Sequence, residues 1–195
     1  MIDSKFNFLF EQFSRFIELN DDEKARYIPK LKVIKAKKGT LLLEPGNICK
    51  LSYFINKGIA RVYYINSEGK EVISYFAFKG WWASDLESFN LQTPSRKFIE
   101  IIEDAELFII SKNDFDQTFI DIPKLERYWR IVGVNSYVAH IKRIEEFQEL
   151  PANKRYEKLI SQFPDIETRI KQKYIASYLG IAPESLSAIK KLLKD

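Results

Sequence analysis

Apolar and polar residues alternate with two different periods along this chain, and the change of period separates helical parts from a β-rich part. Over residues 4–27 apolar side chains such as Phe6 and Phe10 recur at helical spacing. From Leu31 to about Ser111, short runs rich in Val, Ile, Phe and Tyr alternate with glycine-containing turns. Such runs, with no helical pattern between them, predict an antiparallel sandwich or barrel.

Seven runs in this region are expected to be separate strands. They are KVIKA, TLLLE, LSYFIN, IARVYYIN, EVISYFAF, KFIEIIE and AELFIIS. INSEGKEV, with Gly69 in its loop, is typical of a hairpin, and Asn56-Lys57-Gly58 is expected to form another turn. Residues 81–96 are too long for a hairpin loop, so we expect a short helix at Asp85–Phe89 and a turn at Thr93-Pro94-Ser95. A long structured loop inside a β domain usually carries function.

Asp121-Ile122-Pro123 opens a long helix that we expect to reach Leu150, because no further proline interrupts it. The stretch from Tyr128 to Ile141 is apolar on nearly every side, so one buried face does not account for it. Either the helix is buried within its own chain, or it covers the β domain on one face and contacts a second copy on the other. The residues predicted at that interface between copies are Trp129, Val132, Ser136 and Ala139.

The stretch QKYIASYLGIAPESLSAIKK, residues 172–191, has the features of two helices joined by a tight turn. Ala176 is small where the helices would cross, and Gly180 tolerates the positive φ that the turn needs. Pro183 and Glu184 suit the start of the second helix. These features predict a helix-turn-helix, with an ordinary helical hairpin as the alternative. The apolar residues expected between the two helices are Ile175, Leu179, Ile181, Leu186 and Ile189.

The positive charge is concentrated in the last quarter of the chain. The net charge is +4, and residues 151–195 contain nine Lys and Arg against five Asp and Glu, a difference of +4. The first 150 residues therefore balance, at 22 basic against 22 acidic residues. A basic segment of this kind favours a polyanionic partner, and a solvated basic face is the alternative interpretation.

Several classes of function lack the residues that they need. His140 and Cys49 are the chain's one histidine and one cysteine, which excludes an internal disulfide and most metal sites and leaves little for Ser-His or Cys-His catalysis. An enzyme of the cupin type, built on several metal-binding histidines, is therefore not expected. No apolar run is long enough for a membrane span, and the N-terminus lacks the pattern of a signal peptide. A single cysteine favours the cytoplasm.

With the helix-turn-helix placed, the whole chain resembles the Crp/Fnr family of bacterial transcription regulators. KYIASYLGIAPESLSAIKK is similar to the short members common in Bacteroidetes-type genomes. The resemblance implies an α+β fold: an antiparallel, jelly-roll-like β-roll with flanking helices in residues 1–120, a dimerisation helix in 121–150, and a DNA-binding domain in 151–195. It also implies a homodimer on two-fold double-stranded DNA, no enzymatic activity, and RNA polymerase as a further candidate partner.

The resemblance assigns the DNA contacts to the last two helices. Glu184 and Ser185 match the family pattern and would contact bases, whereas Pro183 and Ala188 depart from it. Ala188 stands where the family often has an arginine, and the sequence ends at Asp195 without room for a wing hairpin. We therefore expect weak or A·T-leaning recognition with a steep salt dependence. The candidate DNA-binding residues are Lys171, Lys173, Tyr174, Ser177, Glu184, Ser185, Ser187, Ala188, Lys190 and Lys191.

The candidate effector pocket departs further from the family. The family's cassette opens a helix with Gly-Glu-Leu and supplies an Arg-Ser/Thr-Ala that neutralises a phosphate. Here the matching residues are Ser84-Asp85-Leu86 and Ser95-Arg96-Lys97, with the arginine one place late. These departures disfavour cAMP and leave open a different small anionic effector, or none. Trp82 completes the candidate pocket, unless the Trp81-Trp82 pair belongs to the core.

Two functions remain open from the sequence. The first is a dimeric DNA-binding transcription regulator of the Crp/Fnr type. The second is a β-roll protein that senses a small ligand and whose helix-turn-helix no longer binds specific DNA, as Ala188 and the absent wing permit.

Overall fold

The computed structural model describes residues 3–193, and it combines helices with one antiparallel sheet, which confirms the predicted fold class. The α-helices are α1 (Asn7–Ser14), α2 (Asp21–Tyr27), α3 (Leu86–Leu91), α4 (Lys112–Asp121), α5 (Lys124–Glu149), α6 (Ala152–Gln162), α7 (Ile166–Arg169), α8 (Gln172–Leu179) and α9 (Pro183–Leu192). The strands are β1 (Leu31–Ala36), β2 (Leu41–Leu43), β3 (Leu51–Ile65), β4 (Glu71–Ala77), β5 (Trp82–Ala83) and β6 (Lys97–Ser111). None of the helices within residues 3–193 is long and apolar enough to cross a membrane.

The sheet is organised around two long strands. The strand order is β1-β6-β3-β4, with β2 added to β6 and β5 added to β3. β1 runs antiparallel to β6, so that Leu31 lies opposite Ile110 and Ala36 opposite Ala105. The short strand β5 lies antiparallel to β3 and leads directly into the 84–97 segment.

The predicted turn at Asn56-Lys57-Gly58 is wrong. LSYFIN and IARVYYIN form the single strand β3, and KFIEIIE and AELFIIS likewise form the single strand β6. Gly58 keeps a positive φ of 89°, but the chain continues in the same direction. A Cβ at this position would lie 2.6 Å from the carbonyl oxygen of Asp104, so glycine allows the two long strands to approach closely.

Helix α4 was not predicted, although its N-terminal signal is present in the sequence. The Ser111 hydroxyl accepts a hydrogen bond from the backbone N–H of Asp114 at 3.1 Å. Ser followed three residues later by an acidic residue is a helix-start pattern. The β-rich appearance of the preceding residues concealed it, and the long helix α5 begins three residues later than the predicted start at Asp121.

The chain divides into two compact units. Unit 1 comprises Met1–Val62 and Phe76–Asn135, and unit 2 comprises Tyr63–Tyr75 and Ser136–Asp195. Unit 1 is built on an aromatic core in which α1, α2 and the first turns of α5 contact the sheet. Buried members of this core include Phe13, Tyr27, Phe54, Phe108 and Tyr128.

The long helix α5 has two different apolar faces. Trp129 and Val132 pack against the core of unit 1, and Ser136 lies on the same side of the helix. The opposite side carries a stripe of exposed apolar residues: Val134, Tyr137, Val138, Ile141 and Ile144. Trp129 and Val132, two of the residues predicted at the interface between copies, are therefore partly covered by the core of unit 1. Only Ala139 of the predicted set is exposed.

Candidate nucleic-acid interface and effector cassette

Helices α8 and α9 are joined by the turn that the sequence predicts. Gly180 has a φ of 67°, in the left-handed region, and ends α8. The backbone N–H of Ile181 donates to the carbonyl oxygen of Ala176 at 3.0 Å, which closes the end of the helix. Ala176 is fully buried, as expected for a residue at a helix crossing. A Cβ at position 180 would lie 2.6 Å from the Phe147 ring, so a larger residue would displace that ring.

Helix α9 has one buried side and one exposed side. Leu186 is 1% exposed and anchors the buried side. The exposed side carries five of the predicted DNA-binding residues, namely Glu184, Ser185, Ser187, Ala188 and Lys191. Ser187 is already tied within the pair of helices, because Gln172 Nε2 donates to its hydroxyl at 2.7 Å. Glu184, Ser185, Ala188 and Lys191 are the other predicted DNA-binding residues exposed on this helix.

The lysines around α8 and α9 are not equivalent. Lys171 and Lys173 are exposed, and their Nζ atoms lie 5.9 Å and 5.0 Å from the centroid of the buried Tyr174 ring. Lys190 instead forms an ion pair with Glu167, with its Nζ 2.6 Å from Oε1. Glu167 could not be recognised from the sequence, because it lies 23 residues before its partner.

Glu167 also interacts with Tyr156, a buried residue of α6. Burial, together with a hydrogen bond to the Glu167 carboxylate, raises the pKa of Tyr156 to about 12. The phenol is therefore neutral at physiological pH and donates a hydrogen bond to the carboxylate. Glu167 thus neutralises Lys190 and is itself held in place by Tyr156.

The remaining predicted contact, Ser177, faces the 63–75 hairpin of unit 2. Its hydroxyl donates to the carbonyl oxygen of Glu71 at 2.8 Å and accepts from the backbone N–H of Ile73 at 3.1 Å. Ser177 therefore joins α8 to β4, and its hydroxyl has no capacity left to donate to DNA in this arrangement.

Arg143, on α5, reinforces the same junction. Its guanidinium donates to the carbonyl oxygen of Ser74 in β4 and, at 2.8 Å, to that of Tyr178 in α8. It also lies 3.9 Å from the centroid of the Tyr178 ring, a favourable cation–π distance. Burial lowers the pKa of the guanidinium, which nevertheless stays protonated. Nothing in the sequence distinguished Arg143 from the other arginines.

The candidate effector cassette lies in unit 1 and brings together only part of the predicted set. Asp85 and Ser95 are buried, and Lys97, which is half-buried, reaches Asp85 Oδ1 with its Nζ at 2.7 Å. Ser84 is buried beside Asp85, whereas Leu86 and Arg96 are exposed. The cation of this cassette is therefore Lys97 and not Arg96. Trp82 packs between Phe54 and Trp129, as a member of the aromatic core.

The loop 44–49 is hydrogen-bonded to Ser95 of the cassette. Gly46 donates its backbone N–H to the Ser95 carbonyl, and Ser95 donates its own to the Asn47 carbonyl. Cys49 is buried beneath this contact, and burial raises the pKa of its thiol, which makes the thiol a poor nucleophile. A neighbouring cavity of about 260 Å³ is lined by residues 41–44, 47–51 and Tyr53, and by none of the predicted pocket residues.

The cassette does not fit a bound phosphate. The Lys97 ammonium and the Ser95 hydroxyl, which would be its donors, both bind the Asp85 carboxylate. A phosphate would have to displace that carboxylate and leave it buried without a counter-ion. Among residues 3–193 there is also no group of His, Cys, Asp or Glu side chains that could hold a metal ion.

Comparisons with known proteins agree with this architecture. The profile of the cyclic nucleotide-binding domain matches residues 33–121. No curated protein sequence matches the chain. CLP of Xanthomonas campestris, a c-di-GMP-responsive global regulator, is similar in structure with a TM-score of 0.69 and 14% identity, covering 90% of this chain and 92% of CLP.

Two further solved structures are similar over nearly the same length. CooA of Carboxydothermus hydrogenoformans, solved as a double mutant, has a TM-score of 0.70 and 17% identity, covering 95% of this chain and 84% of CooA. A proposed Crp/Fnr-family transcriptional regulator of Eubacterium rectale has a TM-score of 0.69 and 21% identity, with 90% and 84% covered. The chain therefore contains a domain of the cyclic nucleotide-binding family, at residues 33–121, within the fold of the Crp/Fnr-family transcriptional regulators.

Proposed function

We propose that this protein is a dimeric, DNA-binding transcription regulator of the Crp/Fnr type. The observation that carries the proposal is the exposed side of α9, where Glu184, Ser185, Ala188 and Lys191 project away from the buried Leu186. A short helix that is anchored on one side and polar on the other fits the major groove of DNA. Lys171 and Lys173 would add contacts to phosphates, which orient the protein without reading sequence. The similarity in fold to CLP, a global regulator, favours a regulatory role over an enzymatic one.

The dimer would form through the exposed apolar stripe of α5. Val134, Val138 and Ile141 follow one another at intervals of four and three residues, which keeps them on one side of a helix. Two copies of this helix packed side by side would bury the stripe and place two α9 helices about a two-fold axis. This stripe lies on the side of α5 opposite Trp129 and Val132, two of the residues that the sequence predicted at the interface.

Polar side chains around α9 already form interactions within the protein, and these interactions favour a second function. Lys190 is paired with Glu167, Ser187 is bonded to Gln172, and Ala188 offers only a methyl group. Fewer groups are thus available to read bases than in a helix rich in free polar side chains. A ligand-sensing protein with weak, non-specific DNA binding would have this surface.

In vitro selection of DNA from a random pool separates these two functions. A specific regulator should enrich sequences with two-fold symmetry, with half-sites separated by about one helical turn. The wild-type protein should be tested at two salt concentrations, because non-specific binding declines steeply with salt. Enrichment that persists at the higher salt supports the regulator. A pool that stays random at both concentrations, although DNA is bound at the lower one, supports the alternative.

We expect Glu167→Gln to strengthen DNA binding. The substitution removes the counter-ion of Lys190 and one negative charge near the proposed interface. The affinity for DNA should rise by about 2–5-fold at low salt. The logarithm of the affinity should also fall more steeply with the logarithm of the salt concentration, by about one released counterion per copy of the protein. Fluorescence anisotropy with a labelled duplex measures both quantities.

The matched control is Glu157→Gln, which makes the same change of net charge. Glu157 lies on α6 and pairs with Lys154 at 2.8 Å. If both variants raise affinity equally, the effect is one of overall charge, and Lys190 is not a phosphate contact. A rise confined to Glu167→Gln supports the assignment of Lys190.

A further inference from the structure

Asp85 is a buried carboxylate whose two oxygens are both bound within the cassette. Its side chain is 3% exposed, and its Oδ1 lies 2.7 Å from Lys97 Nζ. The Ser95 hydroxyl donates to Oδ2, also at 2.7 Å, and accepts from the backbone N–H of Lys97 at 2.9 Å. Asp85 precedes α3, but its side chain makes no capping hydrogen bond to that helix. The carboxylate is therefore an internal ligand of Lys97 and Ser95.

These two partners are also the donors that an anionic ligand would need. An incoming phosphate would compete with Asp85 for both of them. If phosphate displaced the Asp85 carboxylate from these donors, the negative phosphate would lie beside a buried carboxylate that had lost its partners. Two such charges close together are strongly unfavourable. Arg96 does not change this balance, because its side chain is exposed and offers only a solvated charge.

We propose that Asp85 is a built-in anion that closes this cassette to cyclic nucleotides and to other phosphate ligands, with Lys97 and Ser95 holding it in place. The inference concerns unit 1 and does not depend on DNA binding. Asp85 would then be the residue that decides whether the cassette accepts a phosphate ligand. Removing its charge would leave Lys97 and Ser95 free to bind an external anion. Any control of this protein by a phosphate ligand in this cassette is then excluded.

Thermal melting of the full chain tests this inference. We expect the wild-type melting temperature to be the same in cAMP, cGMP or inorganic phosphate as in sodium chloride of equal ionic strength. Asp85→Asn keeps the shape of the side chain and removes its charge, so the variant should start from a lower melting temperature. Phosphate at about ten times its dissociation constant should then raise that temperature by about 3–5 °C. The double variant Asp85→Asn, Lys97→Gln should lose this response.

Two results would overturn the inference. One is saturable stabilisation of the wild-type protein by a cyclic nucleotide beyond the salt control. The other is a folded Asp85→Asn variant that no phosphate or cyclic nucleotide stabilises. If Asp85→Asn does not fold, Asp85→Ser takes its place with the same expected response. Calorimetric titration of the wild-type protein with cAMP is independent of all variants: saturable binding contradicts the proposal, and its absence up to millimolar concentration supports it.

Discussion

Ile141→Asp is expected to convert the protein from a dimer to a monomer. Ile141 lies in the exposed stripe of α5, with Val134 and Val138 above it and Ile144 below it. Both copies in a two-fold dimer carry the substitution, so the interface would bury two carboxylates, one from each copy. At about 2–3 kcal/mol for each buried, unpaired carboxylate, the dimer would lose about 4–6 kcal/mol. That loss corresponds to a dissociation constant about 10³–10⁴-fold higher.

Sedimentation velocity over a range of concentrations measures this change. The matched control is Ile120→Asp, because Ile120 is 74% exposed on α4 and outside the stripe. The control should remain dimeric. An Ile141→Asp variant that sediments as a dimer, or a wild-type protein that is monomeric at every concentration, contradicts the proposed interface.

Arg143→Met is expected to weaken the junction between α8 and the 63–75 hairpin, which the hydrogen bonds of Ser177 would still connect. Methionine fills a similar volume but donates no hydrogen bond, so the carbonyl oxygens of Ser74 and Tyr178 would lose a buried donor. The cation–π contact with Tyr178 would be lost as well. Together these losses should lower the free energy of unfolding of unit 2 by about 2–4 kcal/mol.

Amide hydrogen exchange locates this effect, because it reports local opening segment by segment. Amides of β4 near Ile73 and of α8 near Tyr178 should exchange faster, while those of the unit 1 core should be unchanged. Lys142→Met is the control, since Lys142 is the exposed neighbour of Arg143 on the same helix. Equal exchange in the two variants would show that Arg143 does not hold the junction.

The sequence was a good guide where one residue type has a single physical role. Gly180 was predicted from the need for a positive φ in a turn, and Ala176 from the need for a small residue at a crossing, and both predictions are confirmed. Gly58 shows the limit of this reasoning. Its positive φ is real, but glycine serves a close approach between two long strands as well as a turn, and only the three-dimensional pairing distinguishes them.

The face of α5 and the chemistry of the cassette depended on contacts that sequence periodicity does not contain. Tyr128 to Ile141 is apolar all round, so the pattern could not tell which side the chain itself covers. In the cassette, the family pattern predicts Arg96 as the cation, whereas the structure pairs Lys97, at the start of β6, with Asp85. The pairing of Lys190 with Glu167 is likewise a long-range contact without a local signal.

A pair of charge reversals tests most directly whether the exposed side of α9 binds DNA, as we propose. Lys191→Glu acts on that side, whereas Lys57→Glu makes the same change of net charge at an exposed position of β3. The affinities of both variants and of the wild-type protein for one duplex should be measured by fluorescence anisotropy at the same salt. We predict that Lys191→Glu weakens binding about tenfold or more, while Lys57→Glu stays within about twofold of the wild type. Equal affinities of the two variants would contradict a DNA-binding role for α9.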